Sequence, residues 1–565
     1  MFGSKIKRTP IGYEDFKRII DGDFYYVDKT MLIYDILNGG SQNNLITRPR
    51  RFGKTLNLSM LEYFFSVTEK DNSYIFDGLE ISKHYDELSG YRNAYPVISL
   101  SLKGAKCGDY NKAVMRICEE IKEKFSDYSF ILESDRLNDL EREGFKKIIK
   151  TEPDSAVFAS SIKLLSRCLK QYYGKNVIIL IDEYDVPLED AYFAGYYDDM
   201  VSFIRSLFEA ALKTNKCLEF SVITGCLRIS KESIFTGLNN LRSNTILDKK
   251  YAEYFGFEEF EIRQLLSYYG FDFKLELVKN WYDGYLFGDK EIYNPWSIMN
   301  YVDRLRDDPD CFPTADWVNS SSNAIIRRLV QRADPETKGI LERLVAEGSV
   351  ETSIKGTITY GDMDASEENI WSFLYFTGYL RIKAPASKGN IRTGAAPVYS
   401  LVIPNIEVRT CYIDIISQYF NDRKKQIKNG DILNAMLNRE TSGFTQPITA
   451  LLQSSISFYD NTESFYHGLL TGLVSGNPVY EIRSNRETGQ GRSDIAIYQN
   501  DRFNNAIIIE IRVCRPNEDI ESGAKRALKQ INDLDYASEA RELGYKNIIK
   551  YGIAFKSKSC FAVTG

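Results

Sequence analysis

The run Val177-Ile178-Ile179-Leu180-Ile181, followed directly by Asp182-Glu183-Tyr184-Asp185, limits the fold more than any other stretch of the chain. A strand with one wet face alternates apolar and polar residues. A run with no alternation suits a central parallel strand buried on both faces. Parallel strands need crossover connections, usually helical, so the expected class is α/β. The run then ends in two acids. At the end of such a strand Asp182 can hold a divalent cation, directly or through water, and Glu183 can orient or deprotonate an attacking water.

A matching half-site lies upstream. Asn44-Leu45-Ile46-Thr47 leads into Arg48-Pro49-Arg50-Arg51-Phe52-Gly53-Lys54-Thr55, and Leu56, Leu58, Met60, Leu61, Phe64 and Phe65 follow with helical spacing. The order is strand, loop, amphipathic helix. Gly53 permits close backbone approach to a phosphate. Lys54 can reach the β- and γ-phosphates, and the Thr55 hydroxyl can ligate Mg²⁺ at the positive end of the helix. The pattern departs from G-x-x-x-x-G-K-[ST] at its first glycine, which is Arg48, and Pro49 stiffens the loop. Gly-Lys-Thr alone is common. Paired with Asp182-Glu183 it predicts an ATP-binding P-loop domain, with Arg51 in the nucleotide-binding set. A third apolar strand, over 218–225, ends near Thr224. In P-loop ATPases with a catalytic glutamate such a strand lies between the other two and offers a polar sensor. Thr224 is the candidate, and Arg228 follows four residues on.

A second chemical constellation stands near the C-terminus. Gly491-Arg492-Ser493-Asp494-Ile495 precedes Ala506-Ile507-Ile508-Ile509-Glu510-Ile511-Arg512. Two strands of a hairpin would set Asp494 beside Glu510. Arg512 would share the face of Glu510, because strand side chains repeat every two residues. Two converging carboxylates make a hard-oxygen site for Mg²⁺ or Mn²⁺, the requirement of a metal-dependent phosphodiesterase. Around them the spacing predicts helices over 448–459 and 463–473, then strands over 479–484, 494–498 and 506–513. A helix over 520–536 and strands over 549–555 and 560–563 complete the series.

With Tyr466-His467-Gly468, Ser484-Asn485-Arg486-Glu487, Ala527-Leu528-Lys529-Gln530-Ile531 and Tyr551-Gly552-Ile553-Ala554-Phe555, this region resembles the PD-(D/E)xK nuclease superfamily. The first half resembles the AAA-ATPase-like bacterial family that carries such a domain at its C-terminus. The likeness rests on the loop 48–55, on 180–185 and on Thr224-Gly225. It extends to Ser233-Ile234-Phe235-Thr236-Gly237-Leu238-Asn239-Asn240, Trp281-Tyr282-Asp283-Gly284-Tyr285 and Tyr293-Asn294-Pro295-Trp296-Ser297. The resemblance implies that Glu463 is a helix-borne acid, that Asp494 and Glu510 hold metal, and that Gln530 lies near them on the next helix. Glu487 is a further acid within reach. It also implies ATP and Mg²⁺ (or Mn²⁺ at the nuclease-like site) as cofactors, and nucleic acid, DNA before RNA, as partner. The family's name supplies no substrate; a role in defence or on mobile DNA belongs to the reading of the chain as an enzyme. Where the family has Lys, this chain has Arg512. A lysine can lose its proton on burial and assist water deprotonation, whereas arginine stays charged and can only bind phosphate or stabilise charge. Lys525 or Lys529 on the following helix could supply the ammonium. Two functions therefore stay open: an ATP-driven or ATP-gated nuclease, and a nucleotide-controlled switch whose nuclease-like domain only binds.

The net charge of −6 excludes a polycation that coats nucleic acid, so any such contact needs a local patch. The densest positive run after residues 48–51 is Arg423-Lys424-Lys425-Gln426-Ile427-Lys428, read as a solvated helix face. Nine scattered cysteines without a CxxC point to reduced thiols in the cytoplasm, and two histidines nearly exclude a histidine-built metal site. No apolar run reaches membrane-spanning length, and the polar N-terminus is no signal peptide. The aromatic block 281–296 reads as a packed corner. Residues 317–323 read as a loop with a helix N-cap. Residues 301–440 read as mainly helical, with a possible winged-helix-like module. The resulting boundaries are an AAA-like P-loop domain over 1–285, a connecting region over 286–440 and a restriction-endonuclease-like α/β domain over 441–565. Oligomeric state is open, a homo-oligomer included.

Overall fold

The computed structural model describes residues 6–67, 72–228, 234–235, 241–319, 324–332, 335–356, 358–363, 366–383, 397–423, 429–455, 463–474, 479–488, 491–500, 505–515, 517–556 and 559–565. The chain forms two compact units. The first comprises Met1–Ser321 and Thr352–Tyr399, the second Ser322–Glu351 and Ser400–Gly565. Residues 286–440, read from sequence as one connecting region, are divided between them.

The first unit is built on five strands: β1 (Asn43–Thr47), β2 (Val97–Ser101), β3 (Val177–Asp182), β4 (Leu218–Gly225) and β5 (Leu241–Asn244). They pair in parallel in the order β2-β3-β4-β1-β5. Every residue of β1 and of β3 is buried, as the unbroken apolar run of β3 requires. β4 lies between β1 and β3, the arrangement expected of a sensor strand. β1 opens with two buried asparagines. Asn43 accepts a hydrogen bond from the Ser221 hydroxyl, and Asn44 donates to the Ser41 carbonyl, so each side chain is tied through one of its two polar atoms.

The aromatic block is a packed corner behind the loop that follows β1. A hairpin of β6 (Tyr285–Phe287) and β7 (Lys290–Ile292) presents Tyr285 and Phe287 to Phe52, with ring centroids 4.9 and 5.1 Å away. Phe52 is fully buried, and burying a phenylalanine contributes about 1.5–3 kcal/mol. The loop is therefore anchored by its one apolar side chain. Gly378, at φ +89°, closes against Pro49 on the same loop: a Cβ there would stand 3.0 Å from the proline ring. The helix Glu259–Tyr269 buries Ile262, Leu265, Leu266 and Tyr269 as its spacing predicts, but Phe260 points to solvent. Three short strands, β8 (Val350–Ser353), β9 (Arg381–Ile382) and β10 (Val398–Val402), come next in the chain.

The second unit carries a mixed sheet, β11 (Tyr480–Thr488), β12 (Gly491–Gln499), β13 (Asn505–Val513), β14 (Asn547–Lys556) and β15 (Ser559–Thr564), in sequential order. All neighbours are antiparallel except β13 and β14. Alternation sorts its two faces. Ile495, Ile497, Ile507, Ile509 and Ile511 pack with Tyr466, Leu470 and Leu473 of the helix Glu463–Val474. On the other face Ala496, Tyr498, Ala506 and Ile508 pack against Ile531 of the helix Ile520–Asp533 and against Tyr536. That helix lies directly on β14. A Cβ at Gly552 would come within 2.1 Å of the Ala524 carbonyl oxygen, so only glycine fits there.

Candidate nucleotide and metal sites

The loop between β1 and the helix Lys54–Phe65 turns through two left-handed residues, Arg51 at φ +68° and Gly53 at φ +79°. Glycine adopts that region freely, and Gly53 sits at the helix N-cap. The turn brings the Lys54 ammonium back over its own loop, where it donates to the carbonyls of Arg48 at 3.0 Å and Pro49 at 2.8 Å. One residue further, the Thr55 hydroxyl donates to Asp182 Oδ2 at 2.6 Å. The Thr224 hydroxyl donates to Asp182 Oδ1. Both oxygens of the buried carboxylate at the end of β3 are thus engaged by hydroxyls from the two elements beside it.

Glu183 follows with φ +51°, an uncommon conformation for a side chain with a Cβ. Burial pushes its carboxyl above the usual range, and Asp182 and Asp185 push it further. Lys54 and Lys103 oppose the shift. A raised glutamate is what a general base working near neutral pH needs. Lys103 carries no motif and sequence reasoning missed it. Its ammonium is held by both oxygens of Glu14, at 2.9 and 3.0 Å. Arg51 faces the same Glu14 at 3.8 Å and lies over the Trp296 ring at 4.3 Å, about one third exposed. It stands beside this exposed ion pair.

Arg48, in the place of the expected glycine, is a structural residue. It is wholly buried and donates to the carbonyls of Thr47 at 2.8 Å, Asn244 at 3.1 Å and Lys250 at 3.3 Å. Burial lowers its guanidinium to about 10. Charge-assisted hydrogen bonds contribute about 1.5–3 kcal/mol each. Three of them offset the several kcal/mol that desolvating a guanidinium costs. The arginine thereby ties the ends of β1 and β5 together. Arg50 forms an ion pair with Glu189. Asp185 was quoted in the sequence motif but given no role. Its Oδ2 accepts from the backbone N–H of Cys226 at 2.8 Å and of Leu227 at 2.9 Å, and the Tyr184 hydroxyl donates to the Leu227 carbonyl at 2.6 Å. The acid two residues past the Asp182-Glu183 pair thus fixes the turn after β4. Arg228 leaves that turn, but no hydrogen bond joins it to Asp182 or Thr55 among the described residues, and its Nε is buried without a partner.

In the second unit the pairing of β12 with β13 reaches Ile495↔Ile509. One step beyond, the Asp494 carboxylate replaces the ladder: its Oδ2 accepts from the Ile511 N–H at 2.7 Å, beside Glu510. Gln530, on the helix Ile520–Asp533, donates to Glu510 Oε1 at 2.6 Å, and its Nε2 also contacts the Tyr536 hydroxyl at 3.2 Å. The structure therefore brings Asp494, Glu510 and Gln530 together. It adds two residues that sequence reasoning left without a role. Tyr536 is buried beside both carboxylates; burial raises its hydroxyl, and Glu510 and Asp494 raise it further. His467 places Nε2 2.7 Å from the Asp494 carbonyl oxygen, from the helix on the opposite face. The His-Gly pair in the sequence was the only signal for it.

Arg512 lies within ion-pair distance of an acid outside this pair. Its Nε lies 3.5 Å from Glu518 Oε1, an oxygen that Arg526 also grips. Lys525 and Lys529 do not supply an ammonium. They pair with Glu521 and Asp533 on their own helix, at 2.8 and 3.9 Å, and stand in solvent. The side chains of Glu463 and Glu487, residues 320–323 and 424–428, and most of the segment 233–240 lie outside the described residues. Among the described residues no group of three or more His, Cys, Asp or Glu gathers as a metal site. The two carboxylates, one with an oxygen fixed by a backbone N–H and one held by an amide, are a hard-oxygen donor set that fits Mg²⁺ or Mn²⁺.

Burial raises the Asp494 carboxyl to about 6 from 3.8. The folded chain then holds that proton more tightly than the unfolded chain. Without metal, the stability it contributes is present below 3.8 and lost as pH rises through 6. Divalent binding needs the carboxylate, so Mn²⁺ affinity is expected to fall about tenfold per pH unit below 6 and to level off above it. Calorimetric titration at several pH values checks this. An Asp494→Asn chain that keeps the same pH profile would show that another group controls it.

A P-loop after β1, with the acid-ended strand β3 one strand away across β4, makes the first half an AAA-ATPase-like domain. The mixed sheet with Asp494 and Glu510 on adjacent strands makes the C-terminal part a PD-(D/E)XK nuclease-like domain. Residues 10–235 match the family described as predicted AAA-ATPase, and residues 461–565 match the PD-(D/E)XK nuclease superfamily. The chain is 23% identical over 563 residues to the uncharacterized protein in the vnfD 5′ region of Azotobacter chroococcum mcd 1, covering 98% of this chain and 97% of that one. Among solved structures it is similar to the Walker-type ATPase PABY2304 of Pyrococcus abyssi. There the TM-score is 0.38 at 13% identity, covering 69% of this chain and 96% of the other. Among the described residues no helix is long and apolar enough to cross a membrane.

Proposed function

We propose that this chain binds and hydrolyses ATP in its first domain and couples that cycle to a metal-dependent nuclease in its C-terminal domain. The substrate is nucleic acid, DNA in preference to RNA, in defence or in processing mobile DNA. The observation that carries the nucleotide half is the grip of Thr55 and Thr224 on Asp182. Hydroxyl and carboxylate oxygens there fit Mg²⁺, which when bound would neutralise the phosphates. Lys54, now on loop carbonyls, exchanges those acceptors for phosphate oxygens. Glu183 takes the proton of the attacking water, and Thr224 marks the terminal phosphate. The segments 1–285, 286–440 and 441–565 are the functional parts of this reading. Nine free cysteines suit a cytoplasmic setting. Assembly into a homo-oligomer is part of the same proposal.

Fluorescent nucleotide binding tests the first half. Lys54→Ala is expected to weaken mant-ATP binding by at least about tenfold, the loss of one charge-assisted contact. Equal affinity without Lys54 would remove the site from this loop.

A second reading has an observation of its own. Arg512 stands where the family has lysine, and it lies within ion-pair distance of Glu518, an acid outside the carboxylate pair. On that reading the nuclease-like domain is inactive and only binds, under nucleotide control.

A further inference from the structure

Three cations from three elements converge on one residue outside the carboxylate pair. Arg512, near the end of β13, places its Nε 3.5 Å from Glu518 Oε1, within ion-pair distance. Arg526, from the middle of the helix Ile520–Asp533, grips the same oxygen. Lys556, at the end of β14, donates to the Glu518 carbonyl at 2.8 Å. The Cys514 thiol, buried and raised by burial, feels all three charges, which lower it in turn. The neighbouring acids are otherwise engaged. Asp519 accepts from the Ser522 N–H as a helix cap, and Glu521 pairs with Lys525.

Arg512 and Arg526 share the one Glu518 carboxylate, while Lys556 holds only the main-chain carbonyl of that residue and feels the charge of Asp519, itself a helix cap. Yet the two arginines remain 42% and 47% exposed while Glu518 is 19% exposed. The guanidinium Nε of Arg512 is also buried without a hydrogen-bond partner. In a chain of net charge −6 such a surplus is local, and it borders the strand that carries Glu510. Arginine forks match phosphate oxygens as well as they match carboxylate.

We infer that Arg512, Arg526 and Lys556 form a binding site for the phosphate backbone of DNA, with Glu518 as the counter-ion that a phosphate replaces. The inference rests on the nuclease reading for its substrate, but assigns Arg512 to holding the strand and not to the chemical step. Each cation that neutralises a phosphate releases condensed counterions and adds about 0.9 to the salt dependence of binding.

Fluorescence anisotropy of a short labelled DNA duplex in EDTA, over a range of salt, tests it with the full chain. Arg526→Gln with Lys556→Gln is expected to weaken binding about tenfold or more and to flatten the slope by about two. Glu518→Gln is expected to strengthen binding a few-fold, an effect that simple damage to the fold would not produce. A wild-type chain that does not bind the duplex overturns the inference. So does a folded double variant, by circular dichroism, that keeps wild-type affinity and slope. Cleavage by an Asp494→Ala chain at the wild-type rate would instead overturn the nuclease reading, and the binding data would still decide the phosphate site.

Discussion

Glu183→Gln is expected to leave ATP binding intact and to slow hydrolysis by about 10²–10⁴-fold, the range for losing a positioned general base. The glutamine keeps the volume and the left-handed backbone of Glu183 but cannot accept the proton. Asp182 is untouched, so the oxygens that Thr55 and Thr224 hold stay in place. Binding and turnover therefore separate. Phosphate release beside mant-ATP affinity measures both. Turnover unchanged in the glutamine variant would move the base elsewhere.

Asp494→Ala is expected to abolish divalent-dependent cleavage, a loss of about three orders of magnitude or more. It removes one of two carboxylates and frees the Ile511 N–H that Asp494 now binds. Glu510, held through one oxygen by Gln530, cannot make a hard-cation site alone. Arg512→Lys carries the opposite sign. A lysine there is shorter, can leave Glu518, and can lose its proton on burial. The cleavage rate is then expected to rise. No change, with the Asp494→Ala chain equally silent, favours the binding-only reading.

Main-chain order and the residues that converge were legible wherever burial speaks through composition. The unbroken apolar run of β3 and the bounds of β4 needed no structure, nor did the order of elements after residue 460, save that the helix expected over 520–536 ends at Asp533 and a short helix, Ser538–Glu542, follows it. The setting of Asp494 beside Glu510 followed from reading the two runs as a hairpin. What was not legible depends on partners distant in sequence. β5 is Leu-Arg-Ser-Asn, a strand made by pairing with β1 and not by its own pattern. Arg48 looks like a damaged glycine position until Asn244 and Lys250 supply its acceptors. Parity set the face of Arg512 but not its rotamer, and the rotamer is decided by Glu518 across a turn. Tyr536 and His467 reach the carboxylate site from a helix end and from the far face, where no short motif could place them.

Cleavage of linear and circular DNA by the purified chain, with Mn²⁺ or Mg²⁺ and with or without ATP, is the most direct measurement of an ATP-coupled nuclease. Asp494→Ala is its control. Cleavage that requires the divalent ion, changes with ATP and disappears in the variant is the expected result. Absence of cleavage under every condition, or cleavage that survives in Asp494→Ala, would contradict it.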